Sequence, residues 1–386
     1  MTAVGAETQA GDPAGDERTS REAPRRPWCR GSRLLVGTAC GWLAVVVLHL
    51  LLSGRWWAWA LVDLAPPLLY AAIPVLLLAA VPVLWLVRVR PPRAVRLTVL
   101  GTAVAALLGT AVDGGYAGLN PGALTEGSGA GAPVLRVLAW DTLYWDEGED
   151  PGRFYGYLKA QHADVYVLQE YLRSSNNGHT LAPVDDSERL RRAFPGYTVA
   201  SVGELVTLSR FPIVAQIPLG TPSAPEPRTT YTAWPDFWNF RTLRTDLLVA
   251  GRTLSVYNVH FPDLLDLDLS PVTPRFYAAV HQLDQRRRAQ ARALTADLVG
   301  NSHPRLVTGV TNTLPGVGDQ RWFTGLDDAT GASRALYPTT LTFLGLPLWH
   351  TDWVYASHDV RVGDYNLVDP LGMSTHRAQN FVLRWR

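Results

Sequence analysis

The hydrophobic positions of this chain fall into two patterns that meet near residue 113. Before it come three nearly unbroken apolar runs. Leu34 to Ser53 has the length a helix needs to cross a bilayer core, about 20 residues. Leu64 to Val87 carries Pro66, Pro67, Pro74 and Pro82, which predict a kinked helix held by lipid or by neighbouring helices. Ala94 to Val112 is shorter and richer in Ala and Gly. A cleaved signal peptide is the competing reading of the first run, but the run is long for a signal core and two more follow it. Residues 1–33 are rich in Gly, Ala, Pro and charge and bury too little to order, so they read as a disordered cytoplasmic tail. Residues 34–112 form the membrane region, and the Gly-rich stretch 113–133 reads as a flexible linker that leaves the angle of the following domain free.

From residue 134 to 386 short apolar runs alternate with turns, and several runs end on a polar side chain. Val134 to Trp140 ends at Asp141. Phe154, Tyr157, Leu158 and Gln161 have helical spacing, and the strand after them ends in Gln169-Glu170. Leu205 to Ser209 runs into Arg210-Phe211-Pro212-Ile213, where the proline forces an extended turn. Glu204, just before it, is a candidate for orienting a histidine. Leu254 to Val259 alternates and ends at His260, Arg305 to Thr311 ends at Asn312, and Asp352 and His376 likewise read as polar residues that close short apolar runs. A side chain at the end of a strand is held by a rigid element at a sheet rim, where metal and phosphate chemistry is well supported. Between these strands, Val280, Leu283, Ala291, Leu294 and Leu298 mark the buried face of a helix, and Arg286, Arg287, Arg288 and Arg292 read as its solvated face. The aromatic stretch Tyr231, Trp234, Phe237, Trp238 and Phe240 has two readings of equal weight, a core cluster or an apolar lip touching lipid.

Charge sets orientation and narrows the partners. Arg18, Arg21, Arg25, Arg26, Arg30 and Arg33 precede the first run, and Arg88, Arg90, Arg93 and Arg96 lie around the second connection, whereas the first connection offers only Arg55. The positive-inside rule makes both Arg-rich segments cytoplasmic and, with three spans, places the domain outside the cytoplasm; with two spans it would lie inside. Trp56, Trp57 and Trp59 fit an outer interfacial belt. A formal net charge of +1 argues against gripping nucleic acid by bulk electrostatics. Cys29 and Cys40 lie at or within the first run, so the later part has no internal disulfide.

The order Asp141, Leu168-Gln169-Glu170, Ser209-Arg210-Phe211-Pro212-Ile213, Asn258-Val259-His260, Gly309-Val310-Thr311-Asn312, Asp352 and Ser374-Thr375-His376 resembles the endonuclease/exonuclease/phosphatase superfamily over roughly the last two thirds of the chain. The resemblance implies a four-layer α/β/β/α sandwich. It also implies one divalent cation, Mg2+ or Mn2+, on Glu170 with Asp141 beside it. It implies catalytic roles for His260, Asn312, Asp352 and His376, with Asn312 and His376 also binding the substrate phosphate. Three positions depart from the family pattern: Asp141 stands for an asparagine, Val310 for the aspartate that handles the attacking water, and Thr375 for another aspartate. A valine accepts no proton, and losing such a base typically removes about two to four orders of magnitude in rate. The expected function is membrane-anchored hydrolysis of a phosphoester or pyrophosphate, on an envelope, lipid-linked or exported substrate. A catalytically weakened phosphate binder and an extracytoplasmic nuclease are the alternatives.

Overall fold

The computed structural model describes residues 29–112, 119–124, 135–146, 148–175, 179–184, 187–221 and 230–386. Most of the expected disordered tail and of the Gly-rich linker lies outside the described residues. The chain begins with α1 (Arg30–Leu52), the short α2 (Ala60–Asp63), α3 (Pro67–Leu86) and α4 (Arg93–Val112). α1, α3 and α4 are each long and apolar enough to cross a membrane. α3 keeps Pro74 and Pro82 in its interior and starts on Pro67, whose missing N–H costs nothing in a first turn. Val46, Tyr70, Leu77, Val95 and Val99 pack inside the bundle, while Leu34, Leu76, Leu86, Leu97 and Leu108 face outward, as a lipid-facing surface requires.

The domain is built from two half-motifs of the same kind. β1 (Leu135–Asp141), α5 (Pro151–Ala160) and β2 (Val165–Gln169) form a parallel crossover. The chain continues through β3 (Leu172–Ser175), β4 (Thr180–Pro183), α6 (Ser187–Ala193), β5 (Thr198–Val202) and β6 (Leu205–Ser209). It then enters the second sheet with β7 (Ile213–Gly220), α7 (Pro235–Asn239) and β8 (Phe240–Val249). The second crossover is β9 (Arg252–His260), α8 (Pro274–Gly300) and β10 (Arg305–Val310). Last come β11 (Asp327–Asp328), β12 (Leu341–Phe343), β13 (Leu346–Trp349), β14 (Asp352–Ala356), β15 (Val360–Val368) and β16 (Ala378–Trp385).

The strand orders are β15-β16-β1-β2-β6-β5 and β11-β14-β10-β9-β8-β7. Leu135, Val137, Val165 and Val167 of the first sheet meet Leu247, Leu254, Val256 and Leu306 of the second in one buried cluster. On the outer face of the first sheet, Trp140 and Tyr166 pack on Phe154 and Leu158 of α5. On that of the second, Tyr257, Val307 and Trp353 pack on Ala291, Leu294 and Leu298 of α8. Helix, sheet, sheet and helix therefore stack as the expected α/β/β/α sandwich. Of the aromatic stretch, Phe237 and Trp238 resolve to core, buried with Leu172 and Leu181.

Two expectations are corrected. Arg286 and Arg287 are buried, not solvated. Arg287 donates to the carbonyls of Pro262 and Thr311 at 2.6 and 2.9 Å, to Thr313 Oγ1 at 2.9 Å and to Asp319 at 2.8 Å, and Arg286 donates to the carbonyl of Trp238. A guanidinium goes under the surface when its donors are met this fully. Nor is the domain's angle free. Gly318 N–H donates to Ser53 Oγ at 2.8 Å, Arg288 to the Gly54 carbonyl at 3.1 Å and Trp349 Nε1 to the Leu64 carbonyl at 3.0 Å. Gly54 has φ +63, and a Cβ there would lie 2.6 Å from the Gly318 carbonyl carbon, so only glycine permits this approach. Ala60 and Leu64 join Leu265, Leu269, Phe276 and Val280 in a shared apolar cluster. The domain thus sits on the connection between α1 and α3, on the same side of the bundle as that connection.

Candidate functional site

Strand direction gathers the site. β1 and β2 run parallel and end at Asp141 and Gln169, which pair in register; β9 and β10 run parallel and end at His260 and Val310, which also pair. β14 is antiparallel to β10 and starts at Asp352, opposite Val310. β16 is antiparallel to β1, so His376, just before it, arrives at the same end. The carboxyl ends of parallel strands are the natural place for a ligand crevice.

The sheets are locked together at this rim. Gln169 Nε2 donates to Asn258 Oδ1 at 2.6 Å, and Asn258 Nδ2 donates to the carbonyls of Leu168 and Val206 at 2.9 and 3.1 Å. Gly309, with φ +130, lets the sheets close here, because a Cβ would run into the Val259 carbonyl and the Gln169 amide. Glu170 and Asn312 follow at φ 49 and 51, a region that non-glycine residues rarely occupy. Neighbours hold both: the Glu170 N–H donates to Glu204 at 2.6 Å, and Asn312 Nδ2 donates to the Phe261 carbonyl at 2.9 Å.

Asp141, Glu170 and His260 offer ligand atoms that all lie within 4.8 Å of one another. His260 Nε2 stands 4.0 Å from Asp141 and 3.9 Å from Glu170. Its other nitrogen, Nδ1, pairs with Glu204 at 3.0 Å, and Arg241 donates to the same carboxylate at 2.8 Å. Burial works against an ionised Glu204, but the charges of His260 and Arg241 prevail and hold its carboxyl below the usual range. Glu204 is thus the orienter its position suggested. Glu170 is in the opposite case: burial and the charges of Asp141 and Glu204 push its carboxyl well up. Burial likewise raises Asp141. Glu170 Oε2 is buried without a hydrogen-bond partner. Two crowded carboxylates, one with a bare oxygen, form a hard oxygen donor set that fits a divalent cation such as Mg2+ or Mn2+, with the His260 imidazole beside it.

The second half of the site is an ion pair. His376 Nδ1 lies 2.9 and 3.1 Å from the two oxygens of Asp352, and Thr351 Oγ1 donates to that carboxylate at 3.1 Å. Although burial opposes the charged ring, Asp352 and Asp141 hold His376 protonated, pushed up to about 9. Burial would raise Asp352, but the charge and hydrogen bond of His376 keep it low. Trp140 Nε1 donates to the His376 carbonyl at 3.0 Å, and Ser374 Oγ to the Asp141 carbonyl at 2.8 Å, tying the His376 loop to the end of β1.

Asp141, Glu170, His260, Val310, Asn312 and His376 line one cavity of about 560 Å3. Asp352 stands behind His376, and Thr375 is exposed with its carbonyl accepting from Thr342 N at 2.9 Å. Sequence reasoning missed Asp263, which lines the cavity and acts electrostatically on Glu170 and His376. It also missed Tyr144 on the cavity wall, where Tyr231 of the aromatic stretch stands as well. The signal for Asp263 was its place three residues after His260, in the loop leaving the strand end.

No protein-family model matches the chain, and no curated protein matches it. Among solved structures it is similar to an endonuclease/exonuclease/phosphatase from Beutenbergia cavernae, at 18% identity over 65% of this chain and 71% of that one, with TM-score 0.46. It is also similar to an endonuclease/exonuclease/phosphatase from Bacteroides vulgatus, at 17% identity over 65% and 99%, TM-score 0.46. A third is a Neisseria 3′ phosphatase bound to a product DNA hairpin, at 14% identity over 65% and 100%, TM-score 0.46.

Proposed function

We propose that this chain is a membrane-anchored, divalent-cation-dependent hydrolase of phosphoester or pyrophosphate bonds, working outside the cytoplasm on an envelope, lipid-linked or exported substrate. The observation that carries the reading is the meeting of Asp141, Glu170 and His260 within 4.8 Å, with a bare buried oxygen on Glu170. Asn312 and His376 stand in the same cavity.

Asp141 and Glu170 would hold the cation, which when bound supplies charge neutralisation and Lewis-acid polarisation at the phosphoryl group. His376, kept protonated by Asp352, donates to a non-bridging phosphoryl oxygen, and Asn312 adds a polar contact beside it. His260, fixed through Nδ1 by Glu204, presents Nε2 to the leaving oxygen as general acid. The oxygen of water bonds to phosphorus as the bond to the leaving oxygen breaks. The leaving oxygen takes the proton of His260, and the water's proton passes to solvent, because Val310 accepts none. The outward orientation rests on the arginines before α1 and around the second connection, and on the domain sharing a side with the Arg-poor first connection.

Val310 also favours a second reading, a phosphate-binding domain with little turnover. Full chain in detergent with Mg2+ or Mn2+, presented with phosphomonoester, phosphodiester and pyrophosphate panels, separates the two. Turnover that Glu170→Ala lowers by two or more orders of magnitude supports the hydrolase; binding without turnover overturns it in favour of the binder.

A further inference from the structure

The cavity that holds the polar cluster is mostly apolar elsewhere, and one wall comes from the membrane region. Leu64 lines it, three residues before α3 begins at Pro67. Leu264, Leu267 and Leu341 extend that wall, and Phe343 and Trp349 of the β12–β13 hairpin complete it. The hairpin is fixed at both ends of the cavity: Leu341 bridges to His376, and Trp349 donates to the Leu64 carbonyl. Its tip is apolar and open, with Phe343, Leu344 and Leu346 at 43, 86 and 55% exposure. Leu267 is 61% exposed on the facing loop. A water-soluble phosphate makes no use of such a wall. A hydrocarbon chain does, and the wall leads from the cation cluster to the first residues of a membrane helix.

Resting on the hydrolase reading for its polar end, we propose that the substrate is an amphiphile: a hydrocarbon chain ending in a phosphate or pyrophosphate. Its head reaches Asp141, Glu170 and His260, and its chain lies against Leu64, Leu264 and Phe343. The substrate enters sideways from the bilayer, between the hairpin tip and the Leu267 loop. The docked connection between α1 and α3 is what sets the cavity at membrane level.

The test is calorimetric binding of ethyl, butyl, hexyl and octyl phosphate to the full chain in nanodiscs with Mg2+, with empty nanodiscs subtracted. The expected result is affinity rising by about three orders of magnitude from ethyl to octyl, as burial of six further methylenes requires. Phe343→Asp with Leu267→Asp, both at exposed positions, is expected to flatten the rise to less than about fivefold while Mg2+ binding persists. Equal affinity for ethyl and octyl phosphate overturns the inference, as does a rise that the double variant leaves intact. Phosphate release from octyl phosphate, measured alongside with Glu170→Gln as control, reads the hydrolase separately. A chain-length gradient without turnover keeps this assignment and sinks the hydrolase; turnover without a gradient does the reverse.

Discussion

The indole N–H of Trp349 donates to the backbone carbonyl of Leu64 at 3.0 Å. One bond therefore joins the hairpin that walls the cavity to the segment between α1 and α3. With the Ser53–Gly318 and Gly54–Arg288 contacts it makes the anchor part of the site's architecture: Arg287, paired with Asp319 next to Gly318, holds the carbonyls of Pro262 and Thr311, next to the loops of His260 and Asn312.

Trp349→Phe removes that donor and leaves the Leu64 carbonyl unpaired. The expected cost is about 1–2 kcal/mol locally, read as faster amide exchange over residues 60–66 with β9 and β10 unchanged. Identical exchange in both proteins would show that the bond does not hold the connection.

Mn2+ at about 100 times its Kd is expected to stabilise the full chain by about 2.7 kcal/mol, and Asp141→Asn or Glu170→Gln to remove most of that gain. In metal-free protein the same Glu170→Gln change is expected to raise the melting temperature at neutral pH. The reason is sign: a carboxyl pushed up by burial and by Asp141 loses stability as pH rises and it ionises. A melting temperature indifferent to Mn2+ contradicts the cation site.

For the ion pair the two signs differ. His376 is raised to about 9, so its contribution is complete below the ordinary histidine value and fades as pH rises through about 9. Asp352 is lowered, so its contribution is present above the ordinary aspartate value and fades as pH falls through its depressed one. Asp352→Asn is expected to return His376 toward an ordinary value. Histidine NMR titration of metal-free protein measures it, and an unmoved titration midpoint refutes the pairing.

Asp63 is raised to about 7, first by burial and also by Asp319, against the lowering effect of Ser53 and Arg287. His49 Nδ1 of α1 lies 3.3 Å from it. A raised carboxyl favours docking at low pH, so the seam with Gly316–Phe323 is expected to loosen as pH rises through about 7. Asp63→Asn should remove this loosening, read as a seam protection factor, corrected for the base-catalysed intrinsic rate, that stays constant as pH rises to about 7.

Val310→Asp puts a carboxylate between His260 and Asp352, its partners in register. Under the hydrolase reading turnover is expected to rise at least about tenfold, at a stability cost of about 2–4 kcal/mol for a buried charge. Stability lost with no gain in rate would argue that the missing base does not limit the reaction.

The three helices long and apolar enough to cross a membrane, and the strand ends at Asp141, Glu170, His260, Asn312, Asp352 and His376, were legible in the sequence, because apolar runs and strand periodicity are properties of neighbouring residues. The sequence could not show that Arg287 is buried. Helical periodicity assigns it to the polar face, and carbonyls from residues 262 and 311, the Thr313 hydroxyl and the Asp319 carboxylate make its burial tolerable. Glu204 was marked as an orienter by its place before a strand, but its partners were not legible: it accepts from the Glu170 N–H at the rim of its own sheet and meets Arg241 and His260 of the other. The same limit holds above all for Leu64, which local pattern places in a membrane run and which tertiary packing sets in the wall of the cavity. Which elements form is decided by short-range patterning; which polar groups are satisfied, and what closes the cavity, is decided by contacts between residues from 24 to 285 positions apart.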